Sequence, residues 1–480
     1  MRRVESTVHS TGCRVITWTL TAVAVLGLAM LQGAPAQAMP AANPNPHTSG
    51  FVGTAGTVIT NVNSDSCAGC HRAHTASNPL LLSVPTDKQG NGSQSELCFT
   101  CHDGTGASSD VKTEFASAQQ NDPATGSYFR HDATAMPSAH TTAVDNEFGG
   151  VLNRHSECTD CHNPHAAADG NATTPAANVP WPSSGRLAGI SFVSVDNSTN
   201  PRTFTFNAGT GTAPAYEYQL CFKCHSNFTT LPTNTSGKAS RDFLDAAAEF
   251  DPSNVSFHPI EAAGTNTTTA MANSLAGTSQ FKKWNFSITS TVRCTNCHSD
   301  SLFAATSTDP SSNLPSHTSL YRGILANKYE DRTLTAAPTA FSETNFALCF
   351  TCHGDSPFTG ATGWANLSNF RVGNINLHRN HVARIANIGD PALGSTIDDP
   401  GAGMGNALCA ECHFRPHSSA FPANGQTSNQ RLVNFAPNVL GNTYAKPVWK
   451  VDTVNKIVSC DLTCHGQQHD EANYQYPWVP

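Results

Sequence analysis

One short pattern recurs along this chain of 480 residues and constrains what the chain can fold into. Cys-x-x-Cys-His occurs seven times between Cys67 and His413, and an eighth copy, beginning at Cys460, has one extra residue between its cysteines. The eight copies take up all but one of the 17 cysteines. A zinc site, a thiol redox pair or a disulfide framework explains paired cysteines, but none of them requires a histidine after every second cysteine.

The pattern is the attachment sequence of c-type haem, in which two thiols form thioethers and the histidine becomes an axial ligand of the iron. We therefore predict eight covalent haems, or seven if the irregular last site is empty; attachment through Cys464 alone is a further alternative there. The predicted thioether cysteines are Cys67, Cys70, Cys98, Cys101, Cys158, Cys161, Cys221, Cys224, Cys294, Cys297, Cys349, Cys352, Cys409, Cys412, Cys460 and Cys464. The predicted proximal ligands are His71, His102, His162, His225, His298, His353, His413 and His465.

The second axial position decides what each iron does, because an iron closed on both sides only passes electrons. Histidines outnumber the vacant positions, whereas the methionines are too few to fill them. A histidine three or four residues after a motif histidine cannot reach the other face of the same porphyrin, so it would serve a different haem. We predict His47 to be a surface residue. The predicted distal ligands are His74, His131, His165, His258, His317, His381, His417 and His469, with His140, His155 and His378 as alternates.

The first 38 residues have the pattern of a secretory signal. A basic start precedes an apolar run from Thr19 to Leu31, and Ala36-Gln37-Ala38 resembles a cleavage site. The remaining cysteine, Cys13, lies before the run. An uncleaved anchor is the alternative reading. We predict an exported protein, periplasmic or at the cell surface, with no transmembrane segment in the mature chain.

The composition predicts an irregular fold. Only 13% of the residues are charged, and 35 glycines and 29 prolines favour turns over long helices. The predicted fold class is a multihaem cytochrome c fold, with mostly irregular loops, short helices and a few short strands wrapped around a haem chain. We predict a helix at 241–250, strands at 202–206, 284–288 and 448–458, and linkers at 166–185, 264–279 and 389–406.

The eight sites group into four pairs. Leu-Cys-Phe-x-Cys-His recurs at 97–102, 220–225 and 348–353, which indicates duplication, but the unequal spacing of the motifs excludes a fixed-period solenoid. The predicted domains are a signal peptide at 1–38 and haem pairs at 39–145, 146–280, 281–390 and 391–480.

At these residues the chain resembles the multihaem c-type cytochromes with doubled Cys-x-x-Cys-His motifs. The segments that carry the resemblance are 67–74, 157–165, the Leu-Cys-Phe repeats and 257–260. The resemblance implies covalent haem c, mostly bis-histidine ligation, a continuous haem chain, and electron transfer in the periplasm or on the outer surface, in some members as filaments. The extra residue in the last motif departs from that pattern.

Electron transfer without substrate chemistry is the function that these features favour, over an enzyme. The alternative is an octahaem oxidoreductase with one open iron, acting on a small nitrogen or sulfur oxyanion. A third reading, assembly into a homopolymer, overlaps the first. The expected partners are other redox proteins or an extracellular acceptor. The net charge of −8 argues against a nucleic-acid partner.

Overall fold

The structure describes the chain in separate stretches. Cys67, His140, His155 and His465 lie outside them, as do the predicted leader and the predicted linker at 389–406. The computed structural model describes residues 69–71, 94–107, 109–116, 129–131, 156–209, 214–231, 244–329, 342–360, 368–383, 408–422, 426–437, 439–464, 467–473 and 475–477, with single positions at 47, 74, 81, 82 and 133.

The described helices are short, and several are a single turn built on a Cys-x-x-Cys-His motif. Within the described stretches, none is long and apolar enough to cross a membrane. The helices are α1 (Gln94–Phe99), α2 (Val111–Ala116), α3 (Cys158–Cys161), α4 (Glu217–His225), α5 (Ala246–Glu249), α6 (Thr269–Ala276), α7 (Cys294–Cys297), α8 (Ser301–Thr306), α9 (Ala347–Phe350), α10 (Ser356–Thr359), α11 (Leu377–Ala383) and α12 (Cys409–Cys412).

The strands form small antiparallel sheets. β2 pairs with β3 and β5 with β6 as local hairpins, and β7, β8 and β10 make a C-terminal sheet whose β8 also pairs with β9. β1 pairs with the distant β4. The strands are β1 (Phe129–Arg130), β2 (Phe192–Asp196), β3 (Thr203–Asn207), β4 (Thr318–Ser319), β5 (Arg371–Val372), β6 (Ile375–Asn376), β7 (Val448–Asp452), β8 (Ile457–Cys464), β9 (Gln467–His469) and β10 (Gln475–Pro477).

The mostly irregular fold is confirmed, and two of the predicted strands are found. The strand predicted at 202–206 is β3, shifted by one residue, and the one predicted at 448–458 is the hairpin of β7 and β8. The prediction at 284–288 is wrong. Trp284 is buried, but its backbone N–H bonds the carbonyl of Thr351 in an irregular segment, so no neighbouring strand completes a ladder there.

The helix predicted at 241–250 is reduced to α5, and its first three residues lie outside the described stretches. Asp245 starts this helix, because its side chain accepts a hydrogen bond from the N–H of Ala247. The linker prediction at 264–279 is also wrong, since this segment contains α6. Thr268 caps that helix in the same way, through the N–H of Met271.

The apolar core consists of separate clusters that lie against the motifs. The largest includes Phe350 of α9, Leu408 and Ala410 beside or within α12, and Cys460 of β8. A second cluster joins α4 to α5, and a third packs α1 on α2. All described residues belong to one compact unit, Asn43–Pro480. The division into four haem pairs stays a prediction.

A cluster of acids surrounds one arginine where β3 meets α5. Arg202 forms ion pairs with Asp245 at 3.3 Å and with Asp251 at 3.1 Å, and its Nε donates to Asn197. Asn197 in turn donates to Glu261 at 3.1 Å. The arginine therefore pairs directly with two of the three carboxylates. Burial raises the pKa of Glu261 to about 8, and the charge of Asp251 adds to this effect.

Glu261→Gln is expected to flatten the pH dependence of stability. A carboxyl whose pKa is raised on folding stabilises the fold while it is protonated, and that contribution is lost as the pH rises from about 4.5 to about 8. The free energy of unfolding should fall by up to about 1 kcal/mol per pH unit from this group, and the variant should lack that slope. Melting temperatures at pH 5 and pH 8 measure it, with Glu96→Gln, an exposed carboxyl of α1, as the control. Equal slopes in wild type and Glu261→Gln would contradict the assignment.

Candidate metal centres

Each regular motif that is fully described folds as a single helical turn. The N–H of the histidine bonds the carbonyl of the first cysteine, at 2.9 Å for His102 and 2.8 Å for His162 and His298. Side chains three residues apart on such a turn are neighbours, roughly 5–6 Å apart at Cβ. Both thiols can therefore reach the same edge of one flat ligand. The described stretches contain 15 of the 16 motif cysteines.

The eighth motif has a different backbone. Cys460 and Cys464 both lie in β8, where Cys460 pairs with Trp449 of β7 and Cys464 pairs with Gln467 of β9. Four residues of extended chain span roughly 13 Å, more than twice the separation on a helical turn. In this conformation the two thiols do not face one edge of a ligand as the thiols of the regular motifs do.

A second histidine ring faces the ring of most motif histidines. An imidazole nitrogen binds a first-row metal ion at about 2.0–2.1 Å, so two rings on opposite sides of one ion have centroids roughly 6 Å apart. Five motif histidines meet this spacing with a histidine outside the motifs. The pairs are His47–His102 at 6.2 Å, His71–His165 at 6.1 Å, His131–His225 at 6.1 Å, His162–His317 at 6.3 Å and His298–His417 at 5.8 Å.

Two further motif histidines, His353 and His413, each lie close enough to a histidine outside the motifs for the charges of the two rings to interact. Burial lowers the pKa of His353 to about 3, and the charge of His258 lowers it further. Burial also lowers the pKa of His378 to about 3, with the charge of His413 next in effect. Such rings are neutral at pH 7, which is the state that binds a metal ion.

The predicted distal histidines thus fall into different surroundings. His131, His165, His317 and His417 face motif histidines, and His258 is a neighbour of one. His381 and His469 face each other at 6.0 Å, next to β8 of the last motif. His74 is exposed, and in the described part of the chain no histidine ring faces it.

The prediction that His47 is a surface residue is wrong, because its half-buried ring lies against His102. The sequence has no local signal that pairs His47 with this motif, because His47 stands 51 residues before Cys98.

Two structural units of the same design hold four of these rings. In the 131/317 unit, the N–H of His131 bonds the carbonyl of His317 at 3.0 Å, and its Nδ1 contacts the carbonyl of Ser316 at 2.7 Å. In the 258/417 unit, the N–H of His258 bonds the carbonyl of His417 at 2.9 Å, and its Nδ1 contacts the carbonyl of Pro416. Each unit therefore joins two histidines from distant segments of the chain.

Each unit also contains a carboxylate. The Nδ1 of His317 donates to Oε2 of Glu114 at 2.8 Å, and the Nδ1 of His417 donates to Oε2 of Glu249 at 2.9 Å. Sequence reasoning missed both acids. Glu114 lies in α2 and Glu249 ends α5, and no motif marks either one. Both acids are largely buried, which only the structure shows.

The other ring nitrogens have neutral partners. Nδ1 of His162, His298 and His413 contacts the backbone carbonyl of Arg186, Gly323 and Leu432 respectively. Serine hydroxyl groups contact Nδ1 of His102, His353 and His378. A carbonyl can only accept at Nδ1, so it fixes the tautomer and leaves Nε2 for a metal ion. His162, His298 and His413 therefore present the correct nitrogen before any ligand binds.

Consecutive motifs contact each other along the chain. The neighbouring thiol of Cys158 raises the pKa of Cys98, and the neighbouring thiol of Cys221 raises the pKa of Cys294. Between these pairs, the buried Lys223 donates from Nζ to the carbonyl of Asp160 at 2.7 Å and so ties the fourth motif to the third.

Paired thiols on a helical turn, a histidine that follows them and a second imidazole opposite define a multihaem c-type cytochrome. Residues 60–107 match the family described as the doubled CXXCH motif. The matched segment covers 48 of the 480 residues and contains the first two motifs. No curated protein and no solved structure matches the chain. The family supports c-type haem as the cofactor and electron transfer as the general role.

Proposed function

We propose that this chain is an octahaem c-type cytochrome that conducts electrons along a row of mostly bis-histidine haems. The observation that carries the proposal is the facing of motif and non-motif histidine rings at 5.8–6.3 Å, the spacing that a shared iron requires. When bound, each haem supplies a reversible one-electron couple. The protein closes both axial positions, so that no substrate binds at the iron.

Ring contacts support five ligand pairs, and charge interactions support two more, His353 with His258 and His413 with His378. A histidine from another part of the chain serves each regular motif. At the last site we propose His465 as the proximal ligand, and His381 or His469, whose rings face each other beside β8, as the distal ligand. The proposed pairs are His71 with His165, His102 with His47, His162 with His317, His225 with His131, His298 with His417, His353 with His258, and His413 with His378.

The contacts between consecutive motifs support conduction in chain order from the second motif to the fifth. The thiols of Cys98 and Cys158 interact, Lys223 joins the third motif to the fourth, and the thiols of Cys221 and Cys294 interact. We propose that haems on these neighbouring motifs exchange electrons directly and that the path continues from them to the first and the last motif.

Export and an external acceptor complete the proposal. The leader-like segment at 1–38 supports a periplasmic or cell-surface location, where haem attachment to reduced thiols takes place. The proposed partners are other redox proteins or an extracellular acceptor, and a homopolymer is one way to lengthen the path.

Spectroscopy of the purified, haem-loaded protein tests the function. Intact mass should show eight haems per chain. Absorption and resonance Raman spectra of the oxidised protein should show only six-coordinate low-spin haem. Carbon monoxide should leave the spectrum of the reduced protein unchanged. A high-spin fraction of about one haem in eight that binds carbon monoxide would contradict closed irons and favour the oxidoreductase, and a mass of seven haems would remove the last site.

A further inference from the structure

Two of the proposed distal ligands differ from the others in what they bond at Nδ1. His317 donates to Glu114 and His417 donates to Glu249, whereas the other Nδ1 partners of proposed ligands named above are backbone carbonyls or serine hydroxyl groups. The side chain of Glu114 is 15% exposed and that of Glu249 is 7% exposed, so water screens both contacts weakly. In the described stretches, neither carboxylate pairs with a lysine or an arginine.

We propose that Glu114 and Glu249 are positioning residues that lower the reduction potential of the two haems ligated by His317 and His417. The proposal rests on the function proposed above. A carboxylate that accepts a hydrogen bond from Nδ1 makes the imidazole a more basic ligand. A more basic ligand donates more electron density and favours ferric over ferrous iron. Second-shell hydrogen bonding of this kind is one of the means by which a protein sets a haem potential.

Each unit contains its own comparison. In the 131/317 unit, His131 bonds a backbone carbonyl while His317 bonds Glu114, and the 258/417 unit repeats this difference. In each unit the backbone N–H of one histidine bonds the carbonyl of the other, and the two rings differ in whether a carboxylate accepts from Nδ1. The haems at the third and fifth motifs should therefore have lower potentials than those at the fourth and sixth.

The experiment measures haem potentials in Glu114→Gln and Glu249→Gln by spectroelectrochemistry of the haem-loaded protein. Glutamine keeps the length of the side chain and an oxygen that can accept from Nδ1, but it removes the charge. Second-shell partners typically change affinity by 10–100-fold, so the ferric-to-ferrous preference of one haem should fall about tenfold in each variant. For a one-electron couple this raises one potential by about 59 mV. The low-spin electron paramagnetic resonance signal of one haem should also shift.

Glu343→Gln is the matched control, because this carboxylate bonds Thr359 and Gln280 rather than a histidine. It should leave the set of potentials unchanged. Glu114→Asp keeps the charge and should give a potential between those of wild type and Glu114→Gln.

Unchanged potentials in both glutamine variants, with full low-spin haem content, would overturn this inference and leave the proposed function standing. An equal shift in Glu343→Gln would also overturn it, because charge at any distance would then suffice. If one glutamine variant loses haem, the potentials of the other glutamine variant test the inference. Missing or high-spin haem in the wild type would instead refute the proposed function.

Discussion

Arg293→Met is expected to lower the free energy of unfolding by about 3 kcal/mol or more. The side chains of Arg293 and Glu217 are 2% and 4% exposed, and the Nε of the arginine donates to Oε2 of the glutamate at 2.6 Å. The arginine also donates to the carbonyl of Ser312 at 2.8 Å. Removal of the cation leaves a buried carboxylate without its counter-ion, which is the costly way to break such a pair.

The pair matters because of where it lies. Glu217 begins α4, which carries the fourth motif, and it also accepts from the N–H and the hydroxyl group of Thr295 in the fifth. Arg293 directly precedes α7. The ion pair therefore fixes the contact between the fourth and fifth motifs, and its loss should loosen that contact before the rest of the fold.

Denaturant unfolding followed by circular dichroism measures the effect, and covalent haem remains attached throughout. Arg186→Met is the control, because its ion pair with Asp169 is 3.6 Å long and solvent-exposed, and such pairs contribute between 0 and about 1 kcal/mol. The double variant Glu217→Gln/Arg293→Met should be more stable than Arg293→Met, since no buried charge is left alone. A loss below about 1 kcal/mol in Arg293→Met would show that water or another group compensates Glu217.

The elements that the sequence predicts well are those whose causes are local. A Cys-x-x-Cys-His turn needs only five residues, and the lack of long amphipathic patterns correctly indicates a mostly irregular chain. The start of α6 also has a local cause that the linker prediction overlooked, because Thr268 stands directly before a run of helix-forming residues. The alternating pattern at Trp284 failed because a strand needs a partner, and no local feature reports whether one exists.

The pairing of histidines could not be predicted in the same way. His131 contacts Ser316 across 185 positions, and His258 contacts Pro416 across 158. Spacing rules limit which haem a nearby histidine can serve, but they do not say which distant segment returns to supply the ring. Glu114 and Glu249 were invisible for the same reason, because their role depends on a histidine some 200 or 170 positions away along the chain.

His74 and His165 show this limit most clearly, because they occupy the same position relative to a motif histidine. Each stands three residues after a motif histidine, and the sequence predicts both as distal ligands. In the structure, the ring of His165 stacks on that of His71 at 6.1 Å with 10° between the planes. His74 is exposed and faces no histidine ring in the described stretches. Sequence position alone therefore does not make a ligand.

His165→Ala is expected to open one iron, and His74→Ala is expected to open none. Loss of the distal imidazole leaves the haem of His71 five-coordinate or water-bound, which changes its spin state and lets it bind carbon monoxide. About one haem in eight should become high-spin in His165→Ala, as measured by resonance Raman spectroscopy and carbon monoxide titration. His74→Ala matches it in residue type and in motif position, so it controls for the loss of a histidine near a haem. If His74→Ala gave the high-spin haem and His165→Ala did not, the ligand pair proposed for the first motif would have to be redrawn, and His74 would be the ligand of a different haem.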